Sequence, residues 1–81
     1  MTVGDLIKNK DYDYISWRVT LTPQLDEDIF FGVCRSENGK LIPLDYDTYS
    51  ENEEVIRWEE WSDPEEDIEN GLTVVVEGEW L

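Results

Sequence analysis

The stretch YISWRVTLT, residues 14–22, carries the most regular pattern in the chain and decides the fold class. Its apolar residues occupy every second position: Ile15, Trp17, Val19 and Leu21. In a β-strand, alternate side chains point to opposite faces, so a repeat of two residues is typical of a strand. The stretch therefore predicts a strand with one buried face, on which Trp17 belongs to the core, and one wet face. Pro23 ends this strand.

Three further segments downstream are predicted to be strands. IFFGVCRS (29–36) is apolar on both sides, which is typical of a strand with neighbours on each side. The pair Asn38-Gly39 favours a tight hairpin turn into LIPLDY (41–46), and Pro43 places that strand at an edge or a bulge. LTVVVEGEW (72–80) is rich in β-branched residues and predicts the last strand.

The N-terminal stretch TVGDLIKN (2–9) predicts a short helix, with Thr2 as its cap and Asp5 in its first turn. The predicted fold is α+β: a short N-terminal helix packed on a four- to five-stranded, mostly antiparallel sheet. We expect residues 1–81 to form a single domain, because a chain of this length supports one hydrophobic core. One short helix cannot cover both faces of the sheet, so one face stays wet.

Residues 53–61 are ambiguous between strand and helix. As a helix, they would be capped by Ser50, with Glu53 at the capping-box position. As a strand, they would pair with residues 72–80 across the loop SDPEEDIENG (62–71), which Pro64 and Gly71 delimit. We favour the strand, and the helix remains the alternative.

Charge is concentrated in residues 45–69, here called the acidic segment. The whole chain has a net charge of −15, and this segment contributes twelve acids and one base, Arg57. Crowding of like charges destabilises a free protein, so we expect a compensating function. An anionic surface repels nucleic acid and anionic lipid, which argues against direct binding to either. The expected partner is a basic nucleic-acid-binding protein such as a nuclease.

Mimicry of DNA is the function that this charge favours. Duplex DNA carries one charge per ~1.7 Å of axis, so twelve carboxylates equal about 20 Å of duplex. Trp58 and Trp61 lie among the acids, and exposed tryptophan is frequent at interface hot spots. The candidate acids are Asp45, Asp47, Glu51, Glu53, Glu54, Glu59, Glu60, Asp63, Glu65, Glu66, Asp67 and Glu69.

Catalysis is not expected. The chain has no histidine, and its one cysteine, Cys34, lies in an apolar strand without an activating base. No cofactor motif is present. A single cysteine excludes an intramolecular disulfide, and the N-terminus lacks an apolar leader, so we expect a cytoplasmic protein.

Calcium binding is a weaker alternative. Asp45 and Asp47 begin like an oxygen-ligand loop, but Tyr49 and Ser50 stand where the EF-hand pattern needs an oxygen donor and glycine. We therefore expect no dedicated metal site.

The N-terminal residues Asp5-Leu6-Ile7 followed by Lys8-Asn9-Lys10-Asp11-Tyr12 resemble the start of a small acidic anti-CRISPR protein of prophages, in which a few extra residues separate the two pieces. The size, the acidic second half and the helix-plus-sheet build are also similar. The resemblance implies a DNA mimic that occupies the site where a CRISPR nuclease reads the protospacer-adjacent motif. Anti-restriction proteins of mobile elements use the same strategy. The match covers about a dozen residues, and the acidic halves do not align, so no functional residue carries over.

The rival to mimicry is a generic protein–protein interaction module, or a homodimer joined through a sheet edge or the face that carries the tryptophans. Ionic strength distinguishes the two, because binding through charge weakens with salt and binding through an apolar interface does not.

Overall fold

The computed structural model describes residues 1–21, 27–45 and 49–78. In chain order the elements are helix α1 (Val3–Ile7), strands β1 (Tyr14–Thr20), β2 (Ile29–Glu37), β3 (Lys40–Pro43) and β4 (Val55–Asp63), a 3₁₀ turn (Pro64–Glu66) and strand β5 (Ile68–Glu77). The strands form one sheet in the order β3-β2-β1-β5-β4. Strands β1 and β5 are parallel, and the other neighbours are antiparallel. The predicted α+β fold with a mostly antiparallel sheet is confirmed.

Helix α1 begins with the predicted cap. The Asp5 N–H donates to the Thr2 hydroxyl at 3.3 Å, and the Thr2 N–H donates to the Asp5 carboxylate at 2.9 Å. This capping box satisfies two donors that the helix itself leaves free. The Thr2 N–H also holds the pKa of Asp5 below its ordinary value. Val3 and Ile7 are fully buried, so the helix packs on the sheet.

The core lies between helix α1 and the neighbouring strands β1 and β5. Parallel pairing places Ile15 beside Leu72 and Trp17 beside Val74, and all four side chains are buried. Tyr49 covers the Trp17 ring, with 5.0 Å between the ring centroids. The alternation from Ile15 to Val19 therefore marks the buried face, as predicted. It fails at the end of the strand, because Thr20 is buried and Leu21, expected in the core, follows the strand and is 40% exposed.

Strand β2 has neighbours on both sides, and β3 is an edge strand that ends at Pro43, which confirms both predictions. The turn between them contains Asn38 and Gly39, with φ angles of 53° and 77°. Two consecutive left-handed residues suit a two-residue hairpin, because their twist matches that of the flanking strands.

Most of residues 53–61 lie in strand β4, which confirms the strand that we favoured over the helix. The prediction of a loop over residues 62–71 is wrong. Strand β4 continues to Asp63, the 3₁₀ turn follows, and β5 starts at Ile68 rather than at residue 72. Gly71 lies inside β5, where the Trp61 ring covers it so closely that a Cβ atom would be 2.6 Å from a ring carbon. The glycine marks this close approach and not the end of a loop.

Three strands end earlier than predicted: β1 at Thr20 rather than at residue 22, β3 at Pro43 rather than at residue 46, and β5 at Glu77 rather than at residue 80. The candidate Asp47 lies outside the described residues. Among the described residues, no helix is long and apolar enough to cross a membrane.

Candidate acidic interface

Strand β4 forms one edge of the sheet and carries the centre of the acidic segment. Its nine residues extend over about 30 Å at about 3.3 Å per residue, close to the longest dimension of the protein, 33 Å. On its inner side β4 pairs with β5, in which Leu72, Val74 and Val76 are buried. The acids of β4 therefore stand on a strand held in place by the core.

The first residues of the chain occupy the outer edge where β4 begins. Residues 1–3 run antiparallel to residues 53–55. The Val55 N–H donates to the Met1 carbonyl at 2.8 Å. The terminal ammonium group also pairs with the Glu54 carboxylate at 3.1 Å. This end of the edge is closed, and one of its acids is neutralised.

Glu60 is held by two side chains from the segment after α1. Its carboxylate accepts hydrogen bonds from the Tyr12 hydroxyl at 2.9 Å and from Lys10 Nζ at 3.2 Å. The Tyr12 hydrogen bond is the main reason that the pKa of Glu60 lies below its ordinary value. Burial, followed by the hydrogen bond to Glu60, raises the pKa of Tyr12 to about 12. Glu60 is therefore fixed in position and ionised at neutral pH.

Asp45 connects parts of the fold away from the β4 edge. Its carboxylate accepts from the Val33 N–H at 2.8 Å and from the Tyr49 hydroxyl at 2.8 Å. Burial, with a further contribution from the Asp45 charge, raises the pKa of Cys34 to about 12, so this thiol stays protonated. Asp45 belongs structurally to the strand β2 side of the sheet.

The 3₁₀ turn gathers acids at the far end of β4. The Asp63 carboxylate accepts from the Glu65 N–H at 3.2 Å and caps the turn. Asp67 ends it in the left-handed conformation, with φ 58°. Six predicted acids on β4 and on either side of it are exposed, and their side chains make no hydrogen bond or ion pair with other described residues. They are Glu53, Glu59, Glu65, Glu66, Asp67 and Glu69.

Arg57, the one base of the acidic segment, lies on the same face of β4 as Glu59 and is bound by Asp28. It pairs with Val75 of β5 in the ladder, and Val75 lies beside Arg18 of β1. Arg57 Nη2 donates to Asp28 Oδ2 at 3.2 Å, and Arg18 Nε donates to Asp28 Oδ1. The hydrogen bond from Arg18 is the main cause that lowers the pKa of Asp28.

The side chains of Arg18, Asp28 and Arg57 lie over Val75, which is only 4% exposed although it faces away from the helix. These three side chains also line a groove of about 350 Å³.

The two candidate tryptophans differ in accessibility. Trp58 is 45% exposed. Trp61 is half-buried, donates its indole N–H to the Thr73 hydroxyl at 3.0 Å, and packs edge-on against Tyr14 at 5.7 Å between centroids. Trp58 therefore offers an apolar ring beside the acids, whereas Trp61 supports the sheet.

The structure thus collects most of the predicted acids and separates a few. Three of them, Glu59, Glu60 and Asp63, lie on β4, and six lie just before it, in the turn after it and at the start of β5, while Asp45 lies elsewhere and Glu51 is partly buried. The Glu51 carbonyl anchors α1 by accepting from the Gly4 N–H at 2.8 Å. Sequence reasoning missed Lys10, Tyr12 and Asp28.

No group of three or more potential ligand side chains could hold a metal ion among the residues that the structure describes. Comparison of the chain with protein families, curated proteins and solved structures finds no match.

Proposed function

We propose that this protein is a non-enzymatic, cytoplasmic inhibitor that uses its acidic edge to occupy a basic nucleic-acid-binding surface of a partner protein. The partner class is a nuclease or another DNA-binding protein, and the origin is a phage or mobile element. The observation that supports the proposal best is the concentration of nine carboxylates on and beside one ordered edge strand, while Arg57, the one base of the acidic segment, is bound by Asp28.

The number of acids near this edge is comparable with the charge of a short DNA strand. One strand of B-DNA carries one phosphate per about 3.4 Å, hence about nine phosphates over 30 Å. Nine acids lie between Glu53 and Glu69, of which Glu59, Glu60 and Asp63 are on β4 and six are in the residues just before it, the turn after it and the start of β5.

Rigidity makes this charge useful for binding. A disordered acidic tail would lose conformational entropy when a partner fixes it. The β4 backbone is already ordered by its ladder with β5, so little of that cost remains. Asp28 offsets the positive charge of Arg57, which lies on the same face of β4 as Glu59.

The test begins with the protein carrying a C-terminal tag and incubated with extract of a bacterial host. Partners are eluted with a salt gradient and identified, and each purified partner is then competed with duplex DNA. We expect a DNA-binding protein that elutes as salt rises and that duplex DNA displaces, because phosphates and carboxylates would share one basic groove.

A matched pair of charge-reversal variants makes the test specific. E59K/E66K changes two exposed acids of the edge and turn, and E27K/E37K makes the same charge change outside the acidic segment. We expect at least a tenfold loss of affinity for the first variant and less than a threefold loss for the second. Equal losses would show a response to net charge alone. Partners that ignore both salt and DNA would instead support a generic interaction module.

A further inference from the structure

We propose that a second copy of this chain covers the sheet face opposite helix α1, in a symmetric dimer whose two-fold axis runs along the central strand β1. This face, here called the back face, lies on the other side of the sheet from Val3 and Ile7, the buried residues of the helix. The ladders place on it all three arginines of the chain and three aromatic residues, namely Arg18, Arg35, Arg57, Tyr14, Phe30 and Trp61. Arginine and aromatic side chains are enriched at protein interfaces. The dimer goes beyond the proposed function, because it does not depend on the role of the acids.

Charge on the central part of the back face is nearly balanced, although the whole chain has a net charge of −15. The Asp28 carboxylate binds two of the arginines, and Glu37 Oε2 lies 3.4 Å from Nη1 of the third, Arg35. Glu59 lies on the same face as the arginines. A nearly neutral face attracts neither a strongly basic nor a strongly acidic partner, but it can meet a copy of itself without repulsion. The occupant is therefore a second copy.

The back face also provides both halves of a self-complementary contact. Phe30 of β2 is 50% exposed and pairs with Arg18 of β1. The groove of about 350 Å³ lies on the other side of β1, over Val75 of β5, which pairs with the same Arg18. Because β2 and β5 flank β1, a two-fold axis along β1 places Phe30 of each copy over the groove of the other. There the phenyl ring meets guanidinium groups that Asp28 holds in place, which is a favourable contact for an aromatic side chain.

The area of the back face suits a weak dimer. The five strands average about 26 Å in length and lie about 4.8 Å apart, so the sheet presents about 600 Å². Because β1 is the third of the five strands, an axis along it gives the two sheets their greatest overlap. The dimer would bury about 1,200 Å² in total, at the lower end of specific interfaces. We therefore expect dissociation at micromolar concentrations.

Sedimentation equilibrium of the full chain, up to about 1 mM protein and at low and high salt, tests the dimer. We expect association to strengthen as salt rises, because salt screens the repulsion between two chains of charge −15 and leaves an apolar interface intact. A chain that stays monomeric under all conditions, or a dimer that dissociates as salt rises, would overturn the inference. Either result leaves the acidic-edge proposal in place, since that proposal requires binding to a different protein that weakens with salt.

Two adjacent residues of β2 supply a matched pair of variants. Phe30 lies on the back face, whereas Ile29, which is 60% exposed, pairs with Val19 on the helix side. We expect Phe30→Thr to raise the Kd of the dimer at least tenfold and Ile29→Thr to raise it less than threefold. Both changes keep a strand-forming residue at an exposed position, and far-ultraviolet circular dichroism checks that the fold is retained. Equal effects of the two variants on the Kd would overturn the assignment of the interface to the back face.

Discussion

Strands β4 and β5 are hydrogen-bonded neighbours with opposite roles. Strand β5 buries Leu72, Val74 and Val76 and holds the core together, whereas β4 keeps Trp58 and the acids at the surface. The comparison shows how a small domain can carry a net charge of −15. Apolar burial on β5 provides stability, and the shared ladder fixes β4, from which Val55 packs against the core and Trp61 packs against Tyr14.

The contrast is tested most strongly at Leu72, which is fully buried and lies opposite Glu60. Leu72→Ala should lower the free energy of unfolding by about 2–5 kcal/mol, because it removes apolar contacts and leaves a cavity. Urea denaturation followed by tryptophan fluorescence measures this. A loss below about 1 kcal/mol would mean that β5 is not the stabilising strand.

Gly71→Ala should have the next largest effect, because the new methyl group would meet the Trp61 ring. We expect a loss of about 1–3 kcal/mol from overpacking, with a change in the near-ultraviolet circular dichroism of the displaced indole. The control is the same change in a Trp61→Ala background, where the obstruction is gone and the cost of the alanine should nearly vanish. Equal costs in both backgrounds would exclude contact with Trp61 as the cause.

Asp28→Asn should reduce stability by on the order of 1 kcal/mol at pH 7, because it weakens the ion pairs to Arg18 and Arg57. The pKa of Asp28 is lower in the folded protein than its ordinary value of 3.8. Its stabilisation is therefore complete above that value and is lost as the pH falls through the folded pKa. Unfolding curves between pH 7 and pH 2 should show the difference between the two proteins shrinking below about pH 4. A constant difference would exclude the carboxylate charge as its source.

Trp58→Ala should have the smallest effect on stability, below about 1 kcal/mol, although tryptophan is the largest side chain. Its 45% exposure means that much of the ring already contacts water. Urea denaturation measures the stability. A loss comparable with that of Leu72→Ala would place Trp58 in the core and remove the distinction between the two strands.

Much of the fold can be read from local patterns. The alternation in residues 14–20, the Asn38-Gly39 turn and the Thr2 cap each depend on neighbouring residues, and each predicts the element that forms. Gly71 led to the wrong prediction of a loop, because the residue that requires a glycine there lies on another strand. The Trp61 ring needs the space, and no local pattern indicates which strand will lie opposite.

The acidic edge was predictable in composition but not in arrangement. A count of charges locates the acids, while the ion pair of Glu60 with Lys10 joins residues 50 positions apart. Arg57 and Asp28, 29 positions apart, meet only because β1 and β5 are parallel and bring Arg18 into the same row. Such contacts depend on the order of the strands in the sheet, which the sequence does not indicate.

The pairing of residues 1–3 with the start of β4 has a practical consequence for handling the protein. Because the two run antiparallel, with Thr2 opposite Glu54, any residues fused ahead of Met1 would emerge beside residues 56 and 57 on the outer side of β4. A fusion sequence placed there would compete with the proposed partner for the acids, and a cationic sequence would compete most strongly. Purification handles and fluorophores therefore belong at the other terminus, and apparent inactivity of an amino-terminally tagged preparation would say little about the native chain.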